Sequence, residues 1–368
     1  WRTVRHLRAR QIVNRVSRRF TFRIPPAAPA PPLRPPQGSW RNCPGRPPSM
    51  VSPSRFRFLG QEAEVVGAED WNAPGLPKLW LYNLHYFDDL RADGAPDRAA
   101  WHRALIARWI AENPAGHGNG WEPYPLSLRI VNWIGWALAG HPLEAEALES
   151  LARQVRTLLG ALEFHLMGNH LFANAKALVI AGCFFSGREA DRWRDVGLKL
   201  LEAELDEQIL ADGGHFELSP MYHATILEDV LDLIQTARLF PGQLDGHVRR
   251  WQEIAFRMLD WLAAMTHPDG EIAFFNDAAT GIARRLADLR RYAALLDVPA
   301  PADRAGMRHL AASGYVRLES GPWCAIFDVA EIGPSYIPGH GHADVLSFEL
   351  SLGAERLVTN SGTSSYAV

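Results

Sequence analysis

The stretch that decides the fold reads LFANAKALVIAGCFF at residues 171–185 and is followed by TILEDVLDLIQTARLF at residues 225–240. Both stretches place apolar residues three and four positions apart, which is the period of an amphipathic α-helix and not of a strand. Patterns of this kind continue outward from residue 101 to residue 265, so we predict at least seven helices in series. The other predicted helices lie at residues 101–113, 126–140, 144–166, 191–210 and 247–265.

The pattern changes after Met307, where short segments rich in β-branched and aromatic residues alternate in polarity. Helical hairpins in a long series, followed by strands, predict separate domains. We therefore predict a multidomain α and β protein, in which an incomplete α/α toroid is followed by an antiparallel β-sandwich. The short strands at the end also predict a fragment, truncated within the β-sandwich. The predicted strands are GYVRLES (314–320), WCAIFDVAEI (323–332), LSFELSLG (346–353) and ERLVTN (355–360).

Charge is distributed unevenly along the chain. The 38 basic and 41 acidic residues give a net charge of −3, yet residues 1–61 hold 13 arginines and the first acidic residue is Glu62. We predict a basic, proline-rich arm at 1–60, the toroid at 61–306 and the start of the β-sandwich at 307–368. The arm would bind a nucleic acid or a membrane surface, or it would be solvated and pack on the rest of the molecule. We favour packing and expect no nucleic-acid partner.

Composition excludes several protein classes. Apolar residues make up 47% and charged residues 21%, which excludes a wholly disordered chain. No apolar run approaches the roughly 18 residues of a transmembrane segment. The three cysteines lack the spacing of a disulfide framework or a zinc site. The arginine-rich opening lacks the apolar core and cleavage site of a signal peptide.

Two candidate binding segments lie at the starts of predicted helices. In the first, Tyr124, Arg129 and Asn132 stand among tryptophans, and indoles stack on sugar rings while arginine binds carboxylates. The alternative is that the tryptophans belong to the core. In the second, Asn169 and His170 directly precede a helix, where an asparagine is also a common N-cap.

Two further segments carry acid–base chemistry. Glu217 precedes Tyr222 and His223, and a tyrosine beside a histidine at a helix start is a candidate acid–base pair. A buried, hydrogen-bonded tyrosine is the alternative. His340 and His342 flank a glycine, and alternate residues of an extended segment face the same way. Both imidazoles are therefore expected to converge on one ion or one substrate.

Several motifs follow one another in a fixed order along the chain. They are LYNLHYFDDL (81–90), EPYPLSLRIVNW (122–133), NH (169–170), GGHFELSPMYH (213–223), GHGHADVLSFEL (339–350) and SGTSSY (361–366). This order resembles the heparinase II/III family of polysaccharide lyases over most of residues 78–368. The resemblance implies a toroid and a β-sandwich with the active site in the cleft between them. It also implies an acidic polysaccharide substrate and a periplasmic or secreted location.

The resemblance assigns roles in β-elimination from a uronic acid. Asn169 and His170 would bind and neutralise the uronate carboxylate, Tyr222 would act as acid and also as base, and His340 would be a second acid–base or neutralising residue. No cofactor would be required. The other expected substrate contacts are Tyr124, Arg129, Asn132, Glu217 and His223.

The resemblance also implies a structural divalent metal, zinc or calcium, near the cleft. His342 would be one ligand. Asn360 occupies the position where relatives usually carry a ligating aspartate, and a neutral amide is the poorer ligand.

Three other functions fit the same residues. An HxHxD pattern at 340–344 is typical of a metal-dependent hydrolase. An inverting glycosidase would pair Glu217 with Glu122 or Asp277. A noncatalytic protein that binds an exopolysaccharide would keep the aromatic cleft without cleaving the polymer. The absorbance of the unsaturated product distinguishes a lyase from all three.

Overall fold

The computed structural model describes residues 6–21 and 23–363. The first five residues of the basic arm, Phe22 and the last three residues of the SGTSSY motif lie outside the described residues. None of the described helices is long and apolar enough to cross a bilayer. The helices are α1 Ala9–Thr21, α2 Lys78–Tyr86, α3 Ala99–Glu112, α4 Pro123–Leu138, α5 Ala145–Gly160, α6 Gly168–Phe184, α7 Arg188–Gln208, α8 Pro220–Leu239, α9 Asp245–Ala264 and α10 Leu286–Leu295.

Helices α2 to α9 form two layers. In the inner layer α2 packs on α4, α4 on α6 and α6 on α8, while α5, α7 and α9 cover this layer from outside. Every residue of α6 except His170 is buried, because most of its side chains are apolar and the polar Asn174 and Lys176 are bonded inside the protein. The outer helix α7 buries one stripe only. This alternation of inner and outer helices is the predicted incomplete α/α toroid, and the fold prediction is confirmed.

The segment before the toroid lies on the helices. Leu33 bridges to Phe185, and the backbone N–H of Trp40 donates to the carbonyl of Leu138 at 3.0 Å. Trp40 and Cys43 are buried in the main hydrophobic core. A short antiparallel hairpin follows, formed by β1 Arg55–Phe58 and β2 Gln61–Glu64.

The C-terminal part is a five-stranded antiparallel sheet in the order β3-β4-β5-β6-β7. Tyr315 and Ile326 on one face pack with Trp261 of α9. On the opposite face, large apolar side chains such as Trp323 and Phe348 are exposed. A sheet that is apolar on both faces is typical of one layer of a sandwich. The strands are β3 Met307–Leu310, β4 Tyr315–Ser320, β5 Trp323–Asp328, β6 Phe348–Leu352 and β7 Glu355–Val358.

Buried polar contacts fix the sheet on the toroid. His267, in the segment after α9, lies 2.7 Å from Ser351 Oγ and 2.9 Å from Glu349 Oε2, and its side chain is fully buried. Arg317 of β4 donates to the carbonyls of Ala264 and Thr266. Because buried polar groups are costly to leave unpaired, these contacts hold the two parts in one arrangement.

Gly197 lies where α7 packs closely against the backbone of α6. A Cβ atom at this position would lie 2.8 Å from the backbone nitrogen of Val179 and 2.9 Å from the carbonyl oxygen of Ala175. We expect Gly197→Ala to lower the free energy of unfolding by about 1–3 kcal/mol, since the backbone of α6 has no room to move. Urea unfolding measures this change.

Gly246 of α9 is the matched control, because nothing lies within 4 Å of a Cβ atom added there. Gly246→Ala is expected to keep or raise stability, by up to about 1 kcal/mol from helix propensity. An equal loss of stability in both variants would show that the helix contact is not the cause.

Candidate active site

The first turns of the inner helices α4, α6 and α8 lie side by side at one end of the toroid. Tyr124 of α4 and His170 of α6 have ring centroids 4.4 Å apart, and Asn169 of α6 is bonded to Glu217, which precedes α8. Helix N-termini carry partial positive charge and point N–H groups outward, so this end of the toroid favours an anion. The loop 329–347 of the β-sheet domain covers it.

Five side chains form what we call the polar cluster: Asn169, Glu217, Tyr222, Asp277 and His340. The backbone N–H and side-chain amide of Asn169 donate to Glu217 at 3.1 and 3.2 Å. His340 Nδ1 lies 2.7 Å from Asp277 Oδ2, and His340 Nε2 lies 3.5 Å from both Asn169 Nδ2 and Glu217 Oε2. The Tyr222 hydroxyl donates to Asp277 at 3.5 Å, with its ring 4.2 Å from the imidazole. The cluster thus joins four separate stretches of chain.

The backbone around the polar cluster is strained at three non-glycine residues. Met167, Leu218 and Asn276 have φ values of 66°, 60° and 56°, in the left-handed region. Each costs of order 1–3 kcal/mol and persists only where neighbours hold it. The Asn276 amide and the Tyr315 hydroxyl both donate to the carbonyl of Leu218. Such strain beside reactive groups is typical of a functional site.

The charge of His340 is set by its two carboxylate neighbours. Burial lowers the pKa of His340, but the hydrogen bond that the ring donates to Asp277 and the charges of Glu217 and Asp277 outweigh it, so the pKa is raised. The ring of Tyr222 packs on the imidazole, and His340 in turn helps to lower the pKa of the buried His215. Since Asp277 holds Nδ1, the Nε2 side of the ring faces Asn169 and Glu217 and carries an N–H donor when the imidazole is protonated.

A cleft of about 280 Å³ lies beside the start of α4 and is lined by His170, the chain neighbour of Asn169. His170 lies in its wall, where Nδ1 is 3.2 Å from Glu163 Oε1. Burial raises the pKa of Tyr124, whose ring packs on His170. The contacts of His170 are therefore separate from those of Asn169. The cleft is lined by Tyr82, Gly116, Gly118, Trp121, Glu122, Pro123, Glu163, His165, Leu166 and His170.

The structure places Arg129 in the core and not in the cleft. Its guanidinium donates to Gln154 Oε1 and to the carbonyls of His85 and Gly120, and it lies 3.8 Å over the ring of Trp109. The side chain is fully buried. With these donors used inside the protein, Arg129 shapes the toroid and does not face a ligand.

Asn132 and His223 are also buried and bonded within the protein. The Asn132 amide donates to the carbonyl of Tyr86 and to Asp88 Oδ1, both at 2.8 Å. His223 Nε2 lies 2.9 Å from the carbonyl of Met258, and burial lowers the pKa of His223 to about 4. His223 is thus neutral and supports the start of α8, so neither residue joins the polar cluster.

The residues expected to hold a metal have hydrogen-bond partners within the protein. The backbone N–H of His342 donates to Asn276 Oδ1, and Asp344 accepts the backbone N–H of Asn276. Asn360 is tied to Glu349 through its backbone. Within the described part of the chain, no three His, Cys, Asp or Glu residues are grouped so that they could hold an ion. A structural zinc or calcium ion stays a prediction, and no step below uses one.

Two acidic residues of the site were not predicted as partners of its histidines. Asp277 was considered only as the second carboxylate of a glycosidase, yet it bonds to His340, and Glu163 bonds to His170. Asp277 and His340 lie 63 positions apart in the chain, and no local spacing connects them. Asn276, directly before Asp277, has a left-handed backbone conformation, which asparagine tolerates better than most residues. The asparagine is therefore a weak sequence signal for a special backbone conformation beside Asp277.

Comparisons with known proteins match the chain to one family. The family model "Heparinase II/III N-terminus" matches residues 145–298, and "Heparinase II/III-like, C-terminal" matches residues 302–368. FtsZ-localized protein C of Caulobacter vibrioides is 31% identical over 320 residues, which are 81% of this chain and 51% of that protein. A heparin-sulfate lyase of Bacteroides stercoris is 30% identical over 116 residues, which are 31% of this chain and 17% of the lyase.

A solved structure shares the fold. The heparan sulfate lyase HepC of Pedobacter heparinus superposes with a TM-score of 0.53 at 19% identity, over 86% of this chain and 55% of that chain. The chain thus spans about half the length of this lyase and of the Caulobacter relative.

Proposed function

Because the chain belongs to the heparinase II/III family, we propose that it is a polysaccharide lyase that cleaves a uronic-acid-containing acidic glycan by β-elimination. The observation that carries the proposal is the meeting of an amide, a phenol and an imidazole around one point. Asn169, Tyr222 and His340 come from α6, α8 and the loop over them, and Asp277 anchors two of the three.

The first requirement of β-elimination is to offset the charge of the uronate. Removing the C5 proton puts a second negative charge on the carboxylate, so donors must already surround it. The amide of Asn169 at the start of α6 lies 3.5 Å from the imidazole of His340, whose raised pKa favours the protonated ring. The carboxylate of Glu217 accepts two hydrogen bonds of Asn169, which supports a carboxylate as the partner of this amide. In the proposed complex the uronate carboxylate binds the same donors.

The second requirement is a group that moves protons. Tyr222 lies in the first turn of α8, and its hydroxyl is directed at the carboxylate that also holds His340. In the proposed reaction the Tyr222 phenol first passes its proton to Asp277, and the phenolate then takes the C5 proton. The C4–O4 bond breaks as the C4=C5 double bond forms, and the phenol returns its new proton to the departing O4. Asp277 therefore positions both Tyr222, the proposed proton-transfer group, and His340, the proposed cation.

We propose a substrate outside the cytoplasm, in the periplasm or secreted, because polymers of this kind are found there. Candidates are heparan-like, alginate-like and bacterial exopolysaccharides. The cleft beside His170 would take the neighbouring sugar, with Tyr124 packing against the ring of His170.

Screening a panel of acidic glycans tests the proposal. The expected result is rising ultraviolet absorbance from the unsaturated uronate with at least one polymer. New reducing ends without absorbance would establish a hydrolase and overturn the proposal. Binding without either product would establish the second candidate, a noncatalytic glycan-binding protein. That candidate is favoured by the relative that is named for its localization with FtsZ and not for a reaction.

A further inference from the structure

The start of helix α1 is joined to the loop that carries His340. The Arg8 guanidinium is 2.6 Å from Glu207 of α7 and lies 3.7 Å over the ring of Tyr336. The Gln11 amide donates to the carbonyl of Tyr336 at 3.4 Å, and Gln11 is only 4% exposed. An arginine, a buried amide and an aromatic ring therefore meet four residues before His340.

The segment from Tyr336 to His340 is also in contact with helices α6 and α7. The Tyr336 hydroxyl donates to Glu207. The side chain of Ile337 packs beside Gly168, 3.5 Å from where a Cβ atom on that glycine would lie. This segment is thus enclosed between α1 on one side and α6 and α7 on the other.

The next turns of α1 reach the loop that leads into α6. Asn14 Oδ1 is 3.1 Å from His165 Nδ1, and the Arg10 guanidinium lies 3.7 Å over the ring of Phe164. This loop delivers Asn169. One helix therefore contacts both the loop that leads to Asn169 and the loop that carries His340.

The loop 329–347 needs such contacts. Its only regular structure among the described residues is the single turn Pro338–His340, so ordering it costs conformational entropy. The Arg8 side chain is 45% exposed, and an ion pair of that exposure contributes little by itself. The Arg8 ion pair, the stacking of Arg8 on Tyr336 and the hydrogen bond from the buried Gln11 together hold Tyr336 in place.

We propose that α1 is a clasp, with Arg8 and Gln11 as positioning residues that hold His340 over the first turns of α6 and α8. The effect on catalysis rests on the proposed lyase function, whereas the effect on the loop does not. The clasp gives the basic arm a role that its charge alone does not reveal. It contributes order to the site, and it does so from a segment more than 300 residues away from Tyr336.

The test compares the double variant Arg8→Ala, Gln11→Ala with Arg15→Ala, which removes an exposed arginine from the same helix. Hydrogen exchange of the amides in residues 334–342 is measured by mass spectrometry, and turnover is measured on the glycan found by screening. We expect the double variant to exchange about tenfold faster in this segment. We also expect kcat to fall by about 10-fold to 100-fold with KM little changed, since misplacing a reacting group has this cost. The Arg15→Ala variant should match the parent protein in both.

Arg8→Lys separates positioning from folding. Lysine keeps the charge opposite Glu207 but lacks the planar guanidinium that stacks on the ring of Tyr336. Compared with the double variant, Arg8→Lys should regain part of the protection from hydrogen exchange and part of the turnover. Unchanged exchange in the double variant overturns the clasp whether or not the protein is a lyase. Faster exchange with unchanged kcat overturns the positioning role. Faster exchange with no product from any variant or from the parent leaves the clasp standing and rejects the lyase.

Discussion

Tyr222→Phe is expected to lower the elimination rate by about 10³-fold, within the range that a positioned acid or base contributes. The variant keeps the ring that packs 4.2 Å from His340 and removes only the oxygen that contacts Asp277. Because the ring is retained, the site should fold and bind oligosaccharide within a few-fold of the parent affinity. The rate of absorbance increase at saturating glycan, together with a binding isotherm, measures both effects.

Glu217→Gln distinguishes the lyase from the glycosidase. In the lyase, the Tyr222 oxygen transfers protons and Glu217 occupies the donors of Asn169 in the free protein. In the glycosidase, Glu217 itself would be an acid or base. Loss of activity in Glu217→Gln with full activity in Tyr222→Phe would reject the assignment of Tyr222. If Tyr222→Phe binds the glycan weakly but turns over normally at saturation, Tyr222 is a binding residue only.

Asp277→Asn is expected to lower turnover by about 10²-fold or more, as removal of a carboxylate that orients a histidine does in other enzymes. The Asp277 carboxylate is 2.7 Å from His340 Nδ1 and accepts the Tyr222 hydroxyl at 3.5 Å. Its loss therefore misplaces the proposed cation and the proposed proton-transfer group together. A matched control is Glu253→Gln on the exposed face of α9, which should leave turnover unchanged.

The pH dependence of Asp277→Asn gives a second readout with a defined sign. Asp277 raises the pKa of His340, so the cationic ring persists to higher pH in the parent protein. Without this carboxylate the pKa falls and the cation is lost at lower pH. The decline of kcat/KM on the alkaline side should therefore move to lower pH in the variant. An unshifted profile with reduced turnover would show that His340 is not the titrating group.

Local patterns were sufficient to predict the fold. The series of helices between residues 101 and 265 follows from apolar spacing, because burying one stripe of a helix requires that spacing whatever the helix packs against. The predicted strand segments gave β4, β5, β6 and β7 in the observed order. The added strand Met307–Leu310 is short and its apolar pattern is weak, so the sequence does not distinguish it from a loop.

Individual side chains of the helices were harder to place. Arg129 lies four residues before Trp133 on α4, and this spacing alone predicts a surface stripe that a sugar could contact. In the structure Arg129 bonds to Gln154 of α5 and to backbone carbonyls of other segments. Helical spacing shows which residues share a face, but the neighbours of that face decide whether it meets ligand or core.

The sequence by itself determined the order of helices and strands, the family and the residue types of the polar cluster, because these depend on neighbours within a few positions or on ordered motifs. Only the tertiary structure decided that Asp277 pairs with His340, that His170 lies with Glu163 apart from Asn169, and that α1 reaches Tyr336. Such pairings depend on how distant segments pack, and hydrogen bonds are made at about 3 Å in space whatever the separation along the chain.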